Sequence, residues 1–573
     1  MDANPYPLVV LPAQQDALVL DAKPDLAAWL WRRFCRLALL FFLALVALRR
    51  MRLHLSELRQ QANYWRALHL RAIERETELA EQVEFLKGQI RELERRLYGR
   101  KSETAAVATP VNPNRPADHG QPKKRGQQPG SKGHGRRHHD HLPTTDEDCA
   151  LPNDQQTCPE CGKPMQEIPG TADGDILEID IKAHRRRYHR RRYRCTCDCC
   201  HRPAVVTAPP PDKVIPKSSI GISLWVLILQ RKYEFFQPLH RVIAELRGHD
   251  LHLPSGTLIG GLQKLLPLFQ PLYELLVEHN RGEGHWHCDE TRWLVFVKRT
   301  DKAGFAWTLW VFAAKESIVF VLDPTRAHNV PQDHFGDKAA GILSVDRYSS
   351  YKAMAQVKAG KLTLAFCWAH VRRDFLAVLT SWPELTDWAW AWIEEIGALY
   401  QSNDERLLLP KDTPAYADAD RRLRAQIEQL RQRRDAELAD PKLRLAQRKV
   451  LQSLCNHWAG LTVFVDHPEV PMDNNEAERR ERGPVVARKN FYGSGSLWSG
   501  RLAAMLFSLL QTLQAWGMDT GKWLTAYLSA CAHAQGKPPP NPQLYLPWNM
   551  TPQQREALSV TKPQSPDANT PTS

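Results

Sequence analysis

The chain lacks an apolar run long enough to cross a membrane as a helix. Its longest such run, at 37–48, has twelve residues and is flanked by arginines on both sides, whereas a span needs about 20 residues. The amino terminus also lacks the charged, apolar and small-residue order of a secretory signal peptide. We therefore expect no membrane partner, and we interpret the run as a buried helix or an unstructured leader.

Cysteines are few outside one short segment, which argues against a disulfide-rich secreted protein. Six of the twelve cysteines lie at 158–200, and local clustering in a large chain is typical of metal binding. The motif CPECG forms one knuckle of a zinc ribbon, and YRCTCDCC supplies the other. Cys195 and Cys199 remain alternatives for the second pair of ligands. The CxxC spacing predicts a structural Zn²⁺ site with the ligands Cys158, Cys161, Cys197 and Cys200.

Negative charge is outweighed by positive charge, with a formal net charge of +13 and a pI of about 9.1. This balance favours nucleic acid or another polyanion as a partner. A soluble protein with basic tails would have a similar net charge and pI. Two stretches, the basic linker at 102–145 and HRRRYHRRRYR at 184–194, suit phosphate contacts. A solvated tether and a solvated strand edge are the alternatives. The predicted DNA contacts in them are Lys123, Lys124, Arg125, Arg136, Arg137, Arg185, Arg186, Arg187, Arg190, Arg191 and Arg192.

A charged segment at 55–98 contains no proline and ends in an apolar seam with alternating steps of four and three. This spacing is typical of the a and d positions of a coiled coil. It predicts a dimerisation helix and a homodimer, and the alternative is an amphipathic helix packed on its own domain. The seam consists of Leu79, Val83, Leu86, Ile90, Leu93 and Leu97.

The pattern then changes from helices to strands and back. Helical spacing at 213–280 fits either a helix-turn-helix or a supporting bundle, with one helix capped by Ser255. Five short strands follow from His285, and we expect the tryptophans at 286–392 to be core residues. The predicted segments are a leader (1–54), a coiled coil (55–101), a flexible basic linker (102–145), a zinc-ribbon-like segment (146–205), a helix-turn-helix-like region (206–282), a catalytic core (283–370 and 471–498), a helical insertion (371–470), C-terminal helices (499–535) and a frayed Pro-rich tail (536–573).

Five strands, with the first three in meander order and helices after them, are the layout of an RNase H-like fold. We therefore predict a multidomain α+β protein with an RNase H-like α/β catalytic core. In that fold the first and fourth strands are neighbours, and Asp289 and Asp346 belong to those two segments. The motif DNNEAERRER at 473–482 indicates a helix start, with Asn474 or Asn475 as cap. The three elements are expected to bring carboxylates together.

Converging carboxylates suit metal-dependent chemistry on phosphodiesters. Two Mg²⁺ or Mn²⁺ ions about 4 Å apart activate the attacking oxygen and stabilise the leaving one, and such cations prefer carboxylate oxygens. Attack by water nicks a strand, and attack by a DNA 3′-hydroxyl joins it elsewhere. Glu476 and Glu478 point about 200° apart on a helix, so only one can face the site, and spacing alone leaves the choice open.

Between LYGRKSE at 97–103 and the YL at 527–528, eight segments follow one another in a distinctive order. They are RGQQPGSKGHGRR, CPECG, TAPPPDKVIPKSSIG, CDETRW, VDRYSSY, CWAHVRRDF, NNEAER and ARKNFYGS. In these segments and their order the chain resembles bacterial insertion-sequence transposases of the "sixty-six" type. The resemblance implies an N-terminal coiled coil, a zinc-binding segment, a helix-turn-helix-like region and an Asp-Asp-Glu domain interrupted by helices. It assigns the third catalytic carboxylate, beside Asp289 and Asp346, to Glu478.

Some details of the resemblance stay open. Cys367 and His370 match the family's Cys-x-x-His pair, but two ligands do not make a metal site, so we favour a structural role for them over zinc ligands or substrate contacts. After AER the family continues with a Leu-Arg-Pro-like stretch, whereas this chain has RERGPVVARKN. Basic residues near the carboxylates are further predicted DNA contacts. They are Arg372, Arg373, Arg479, Arg488 and Lys489.

Together these features predict a cytoplasmic bacterial DNA transposase. It would bind double-stranded DNA at element ends and target, with accessory proteins of the same element as further possible partners. One alternative is an RNase H-like nuclease that cuts without joining. The other is a zinc-ribbon DNA-binding protein whose catalytic domain is inert.

Overall fold

The computed structural model describes residues 26–98, 144, 156, 159–164, 182–194, 205–298, 304–337 and 339–560. The chain divides into two compact units, Met1–Leu93 and Glu94–Ser573. The predicted basic linker, apart from residue 144, and most of the predicted zinc-ribbon-like segment lie outside the described residues.

One long helix, α1 (Leu26–Tyr98), runs through the predicted leader and the predicted coiled coil without a break. At 1.5 Å per residue, its 73 residues extend about 110 Å. The apolar run at 37–48 is therefore helical, and most of its side chains are exposed, so our interpretation of it as buried or unstructured was wrong. No helix in the described part of the chain has the length and apolarity that crossing a membrane requires.

The second unit opens with a small antiparallel sheet and a helical region. The small sheet pairs β1 (Arg192–Arg194) with β2 (Val205–Thr207). Helix α4 does begin at Ser255, but Pro254 occupies the cap position and Ser255 makes no cap bond. The helical elements are α2 (Ile222–Leu229), which continues as a π-helix (Gln230–Glu234), α3 (Leu239–Gly248) and α4 (Ser255–Arg281).

A five-stranded sheet forms the centre of this unit. Its strands follow the order β5-β4-β3-β6-β7, with β3, β4 and β5 antiparallel and β6 and β7 parallel to β3. The predicted meander and the predicted pairing of the first and fourth strands are both confirmed. The strands are β3 (His285–Leu294), β4 (Ala306–Ala314), β5 (Ile318–Asp323), β6 (Gly341–Val345) and β7 (Leu362–Phe366).

Helices fill the connections and the rest of the unit. Those between strands are α5 (Asn329–Phe335), α6 (Ser349–Ala353) and α7 (Ala355–Lys358). Those after β7 are α8 (Trp368–Ser381), α9 (Thr386–Leu407), α10 (Pro414–Ala439), α11 (Leu445–Asn456), α12 (Trp458–Leu461) and α13 (Val463–Asp466). The last are α14 (Asn475–Phe491), α15 (Leu497–Ala515), α16 (Thr520–His533) and α17 (Pro552–Ala557).

The outer edge of β5 is closed by side chains from helices. The backbone N–H groups of Ile318 and Phe320 donate to the hydroxyls of Thr512 and Ser508 on α15, at 3.0 and 2.7 Å. On the same edge, Tyr273 of α4 donates to the carbonyl of Phe320 at 2.7 Å. Because an open strand edge invites pairing with another chain, these bonds protect the sheet. They also make α4 part of the support of the sheet, as the bundle alternative expects.

Two further predictions concern the tryptophans at 286–392, expected to be core residues, and the Pro-rich tail, expected to be frayed. The first is confirmed, and the second is wrong for the described part of the tail. Seven of the nine tryptophans at 286–392 are buried, all except Trp388 and Trp390, which confirms their role as core. The Pro-rich tail is not frayed as far as Val560, because Leu546 is only 2% exposed and Trp523 of α16 donates to the carbonyl of Tyr545 at 2.7 Å. The apolar side chains between the tail's prolines gave no periodic signal, although burying them holds the segment in place.

Candidate active site

Two of the predicted catalytic carboxylates come from neighbouring strands. Asp289 lies within β3, and Asp346 directly follows β6. Since β3 and β6 are parallel with His287 opposite Ser344, the two aspartates reach the same place along the sheet. Burial, together with the negative charges of Glu290, Asp346 and Glu478, raises the pKa of Asp289 to about 7. The structure therefore brings all three predicted carboxylates within electrostatic range of one another.

Glu478 and Glu476 point in different directions, as their helical spacing predicts. Glu478 accepts a hydrogen bond from Arg373 at 2.9 Å. Glu476 forms ion pairs with Arg479 and Arg480 at 2.6 and 2.7 Å. The negative charge of Glu478 is among the causes that raise the pKa of Asp289, which agrees with the glutamate that the resemblance assigns.

Each of the three carboxylates has one oxygen held by the protein. Oδ1 of Asp289 accepts the backbone N–H of Glu290 at 2.9 Å, and Oδ1 of Asp346 accepts that of Tyr348 at 2.8 Å. Oε1 of Glu478 is held by Arg373. Within the described residues, their other oxygens accept no hydrogen bond. Each group is thus fixed in place and keeps an oxygen for a ligand.

Asn474 positions the helix that carries Glu478. It occupies the N-cap position of α14, but its side chain makes no cap hydrogen bond. Instead, its Nδ2 donates to the carbonyl of Cys288 at 2.7 Å, and its Oδ1 accepts from Nδ1 of His287 at 3.1 Å. Its backbone N–H donates to Sγ of Cys367 at 3.2 Å. The first asparagine of NNEAER therefore joins α14 to β3 and to the start of α8.

The Cys-x-x-His pair lies where α8 meets α14. The thiol of Cys367 is buried against the start of α14. Nε2 of His370 accepts from Arg373 at 3.0 Å and lies 4.0 Å from Oε1 of Glu478. Burial, followed by the positive charge of Arg373, lowers the pKa of His370. These contacts are of the kind that a structural role requires, and the role of the pair stays a prediction.

A second group of site residues escaped the sequence analysis. Glu290 accepts hydrogen bonds from Tyr351 at 2.7 Å and from Arg326 at 2.9 Å. The ring of Tyr348 lies 4.1 Å from the guanidinium of Arg326. The proximity of Glu290 to Asp289 in CDETRW, and the tyrosines of VDRYSSY, were signals for this group, but its arginine comes from a segment with no motif.

Glu481, one turn after Glu478, is a further carboxyl group at this site. It is 8% exposed, and its Oε1 is buried and accepts no hydrogen bond from the described residues. Burial, together with the negative charges of Asp289 and Glu290, raises its pKa to about 10. The sequence analysis left this residue unassigned within the stretch RERGPVV.

The carboxylates match a divalent cation in chemistry, although in this state they are not arranged as ligands. No group of three His, Cys, Asp or Glu side chains among the described residues could hold a metal ion. Yet the free oxygens of Asp289, Asp346 and Glu478, and the orphaned Oε1 of Glu481, are the donors that Mg²⁺ and Mn²⁺ prefer. Mutual repulsion of these groups is what a cation relieves.

A cavity of about 1220 Å³ lies against the first residues of α14. It is lined by His285, His287, Glu476 and Arg479, among others, but by none of the three predicted catalytic carboxylates. Burial lowers the pKa of His285 to about 4. The cavity is thus separate from the carboxylate cluster.

The predicted basic contacts fall into three groups. Arg479 and Lys489 are exposed, Arg372 and Arg373 are half-buried, and Arg488 donates to the carbonyl of Arg292 at 2.5 Å. The basic linker residues Lys123, Lys124, Arg125, Arg136 and Arg137 lie outside the described residues. The six predicted contacts at 185–192 are exposed: Arg185, Arg186, Arg187, Arg190, Arg191 and Arg192.

The predicted zinc site is largely outside the described part of the chain. Cys161 is described and exposed, whereas Cys158, Cys197 and Cys200 are not described. The strands β1 and β2 flank the undescribed cysteines on both sides. The predicted Zn²⁺ ligands therefore stay a prediction.

Comparison with known proteins places these features in a family. A family model described as "Transposase IS66 family" matches residues 217–502, which includes the sheet, the helical insertion and α14. Two uncharacterized proteins of Sinorhizobium fredii (strain NBRC 101917 / NGR234) are similar over most of the chain. The protein y4jD is 26% identical over 426 residues, 71% of this chain and 80% of that protein. The protein y4hP is 25% identical over 387 residues, 62% of this chain and 67% of that protein.

Proposed function

Because the chain belongs to the IS66 family of transposases, we propose that it binds the ends of a mobile element, cuts them and joins them to target DNA. The reaction centre is the cluster of Asp289, Asp346 and Glu478. The observation that carries the proposal is that β3 and β6, which hold Asp289 and Asp346, are neighbouring parallel strands in register. Asn474 bonds α14, the helix of Glu478, to β3, and the raised pKa of Asp289 supports the grouping. The strand order β5-β4-β3-β6-β7 supports an RNase H-like core.

The three carboxylates would hold two Mg²⁺ or Mn²⁺ ions. Bound there, the ions would activate an attacking oxygen and stabilise the leaving oxygen of a phosphodiester. The residues of this chain fix the geometry: backbone amides orient Asp289 and Asp346, and Asn474 holds α14 so that Glu478 faces them. Preorganised ligands of this kind avoid rearrangement during the reaction.

Positive side chains near the carboxylates would hold the DNA backbone. Lys489 is exposed, and Arg373 and Arg488 are half-buried beside the site. Guanidinium and ammonium groups bind phosphates strongly, and releasing counterions from DNA favours binding to such a surface. The exposed arginines at 185–192 would extend the contact, and a zinc ribbon formed by Cys158, Cys161, Cys197 and Cys200 would support them.

We also propose a homodimer through α1. Each residue of the seam, from Leu79 to Leu97, is between 48% and 71% exposed in the single chain. A row of apolar side chains at a and d positions loses this exposure when a second helix packs against it. A dimer would present two reaction centres to the two ends of an element. Proteins encoded by the same element remain possible additional partners.

Cutting and joining are tested together on a labelled duplex that carries an element end. With Mg²⁺ or Mn²⁺, we expect the wild-type chain to cut this duplex and to join its 3′-hydroxyl to a second duplex. Asp289→Ala and Asp346→Ala should bind the DNA equally well but do neither. Cutting without joining would favour the nuclease, and binding without any cutting would favour the inert DNA-binding protein.

A further inference from the structure

Glu481 is an ionisable group on the inward face of α14. The other residues buried along this helix are Ala477, Pro484 and Ala487, so a carboxyl group interrupts an otherwise apolar stripe. It stands in RERGPVV, the stretch where this chain departs from its family. A buried carboxyl group without a partner is costly, and packing alone does not require it.

The environment of Glu481 offers no protein partner that offsets this cost. Its Oε1 is fully buried and accepts no hydrogen bond from any described residue. Most charges acting on it are carboxylates, led by Asp289 and Glu290, and Arg488 is the opposing positive charge. Arg488 itself donates to the carbonyl of Arg292 and lies 3.3 Å from the hydroxyl of Thr291.

The position of Glu481 links it to the reaction centre. It follows Glu478 by three residues, so both side chains lie on neighbouring positions of one helix face. Among nearby charges, Asp289 acts on it most strongly. A polar atom without a partner, enclosed among carboxylates, is an arrangement that a divalent cation completes.

Two contacts of α14 near Glu481 fix the position of this part of the helix. Pro484 cannot donate to the carbonyl of Arg480, and Nε2 of Gln511 on α15 donates to that carbonyl instead, at 3.1 Å. Gly483 lets α14 approach Phe236 closely, because a Cβ there would stand 2.5 Å from its ring. These contacts fix the turn of α14 on which Glu481 lies.

We infer that Glu481 is a fourth carboxylate ligand of the divalent cation at the reaction centre, beside Asp289 and Glu478. The inference rests on the proposed function and adds a ligand that this chain's own departure from its family supplies. The buried Oε1 of Glu481, which accepts no hydrogen bond from the described residues, is the oxygen that would contact the cation.

Binding of Mn²⁺ to the full-length protein without DNA tests this directly. Free Mn²⁺ is counted by electron paramagnetic resonance, and the melting temperature is measured in EDTA and in Mn²⁺. The variants are Glu481→Gln, which keeps the shape of the side chain, and Glu481→Leu, which suits the apolar stripe. Glu476→Gln is the matched control on the same helix, and Asp289→Asn reports on the reaction centre itself.

We expect both Glu481 variants to bind Mn²⁺ at least about tenfold more weakly than the wild type, since even the outer partners of metal ligands matter by this factor. In EDTA they should melt at or above the wild-type temperature, because a buried carboxyl group among other acids is gone. Glu476→Gln should bind Mn²⁺ like the wild type.

Two results would overturn the inference in distinguishable ways. If Asp289→Asn loses Mn²⁺ while both Glu481 variants bind it as tightly as the wild type, Glu481 is only a packing residue and the proposed function stands. If the wild type itself binds no Mn²⁺, the metal-dependent reaction fails and this inference fails with it.

Discussion

Asn474 connects segments that are far apart in the sequence. It bonds to His287 and Cys288, which lie 187 and 186 residues away, and to Cys367, 107 residues away. Its side chain is 1% exposed, so a lost hydrogen bond there cannot be replaced by solvent. We therefore expect the position of Glu478, one turn later on α14, to depend on this residue.

Replacing Asn474 tests this dependence. Asn474→Ala leaves the His287 ring and the Cys288 carbonyl without partners, and we expect a loss of about 2–3 kcal/mol in the free energy of unfolding. Urea denaturation followed by tryptophan fluorescence measures it. Asn475→Ala is the matched control, because Asn475 is exposed and its side-chain amide donates to the neighbouring carboxylate of Asp473. Equal losses in the two variants would contradict the role of Asn474.

The pKa of Asp289, raised to about 7, makes stability depend on pH. The folded chain binds this proton more tightly than the unfolded chain, so the free energy of unfolding falls as pH rises from about 4 to about 7. In EDTA, we expect the free energy of unfolding of Asp289→Asn to decrease less between pH 4 and pH 7 than that of the wild type, by an amount on the order of 2 kcal/mol. Denaturation at pH 4, 5.5 and 7 measures it, and identical pH profiles would contradict the burial of this carboxyl group.

At the scale of elements, the sequence predicted what local patterns encode. Alternating β-branched and aromatic residues marked the five strands, and the spacing of two aspartates marked strands one and four. The pattern did not reveal Glu290 or Glu481, because their surroundings come from α6 and β3, distant in sequence. Nor could periodicity distinguish an apolar run that is exposed along α1 from one that is buried.

The backbone requires glycine at position 493, in the segment FYGS, for a reason that the sequence did not show. Gly493 has a φ of +143°, and a Cβ there would stand 2.1 Å from the carbonyl oxygen of Leu294. The next residue, Ser494, donates its backbone N–H to that carbonyl at 2.8 Å. Only glycine permits this approach, which ties the end of α14 to the end of β3.

Dimerisation through the apolar seam of α1 is the prediction that we test at the scale of elements. Leu86→Gln together with Leu93→Gln places two amides in the seam, and we expect the dimer to dissociate into chains of 65.5 kDa. Light scattering during gel filtration measures the mass. Glu84→Gln with Arg91→Gln, which introduces the same residues outside the seam, should leave the dimer intact. A monomeric wild type would contradict the coiled coil.

At the scale of the whole molecule, one polypeptide joins a long helix, a strongly basic stretch and a sheet with acidic side chains at its centre. The net charge of +13 attracts DNA in general, whereas the carboxylates repel it locally unless cations intervene. Binding and chemistry are thus expected to respond differently to salt and to metal: added NaCl weakens DNA binding, and EDTA stops cutting.

The comparison of Glu478→Gln with Glu476→Gln tests the central claim most directly. The two residues share a helix and a chemical type. Glu476 is paired with Arg479 and Arg480, whereas the negative charge of Glu478 raises the pKa of Asp289. In cleavage of a labelled element end with Mn²⁺, we expect Glu478→Gln to lose at least about a hundredfold in rate, equivalent to about 3 kcal/mol of transition-state stabilisation. Glu476→Gln should cut within about threefold of the wild type. Equal activity of the two variants, or a greater loss at Glu476, would contradict a reaction centre formed by Asp289, Asp346 and Glu478.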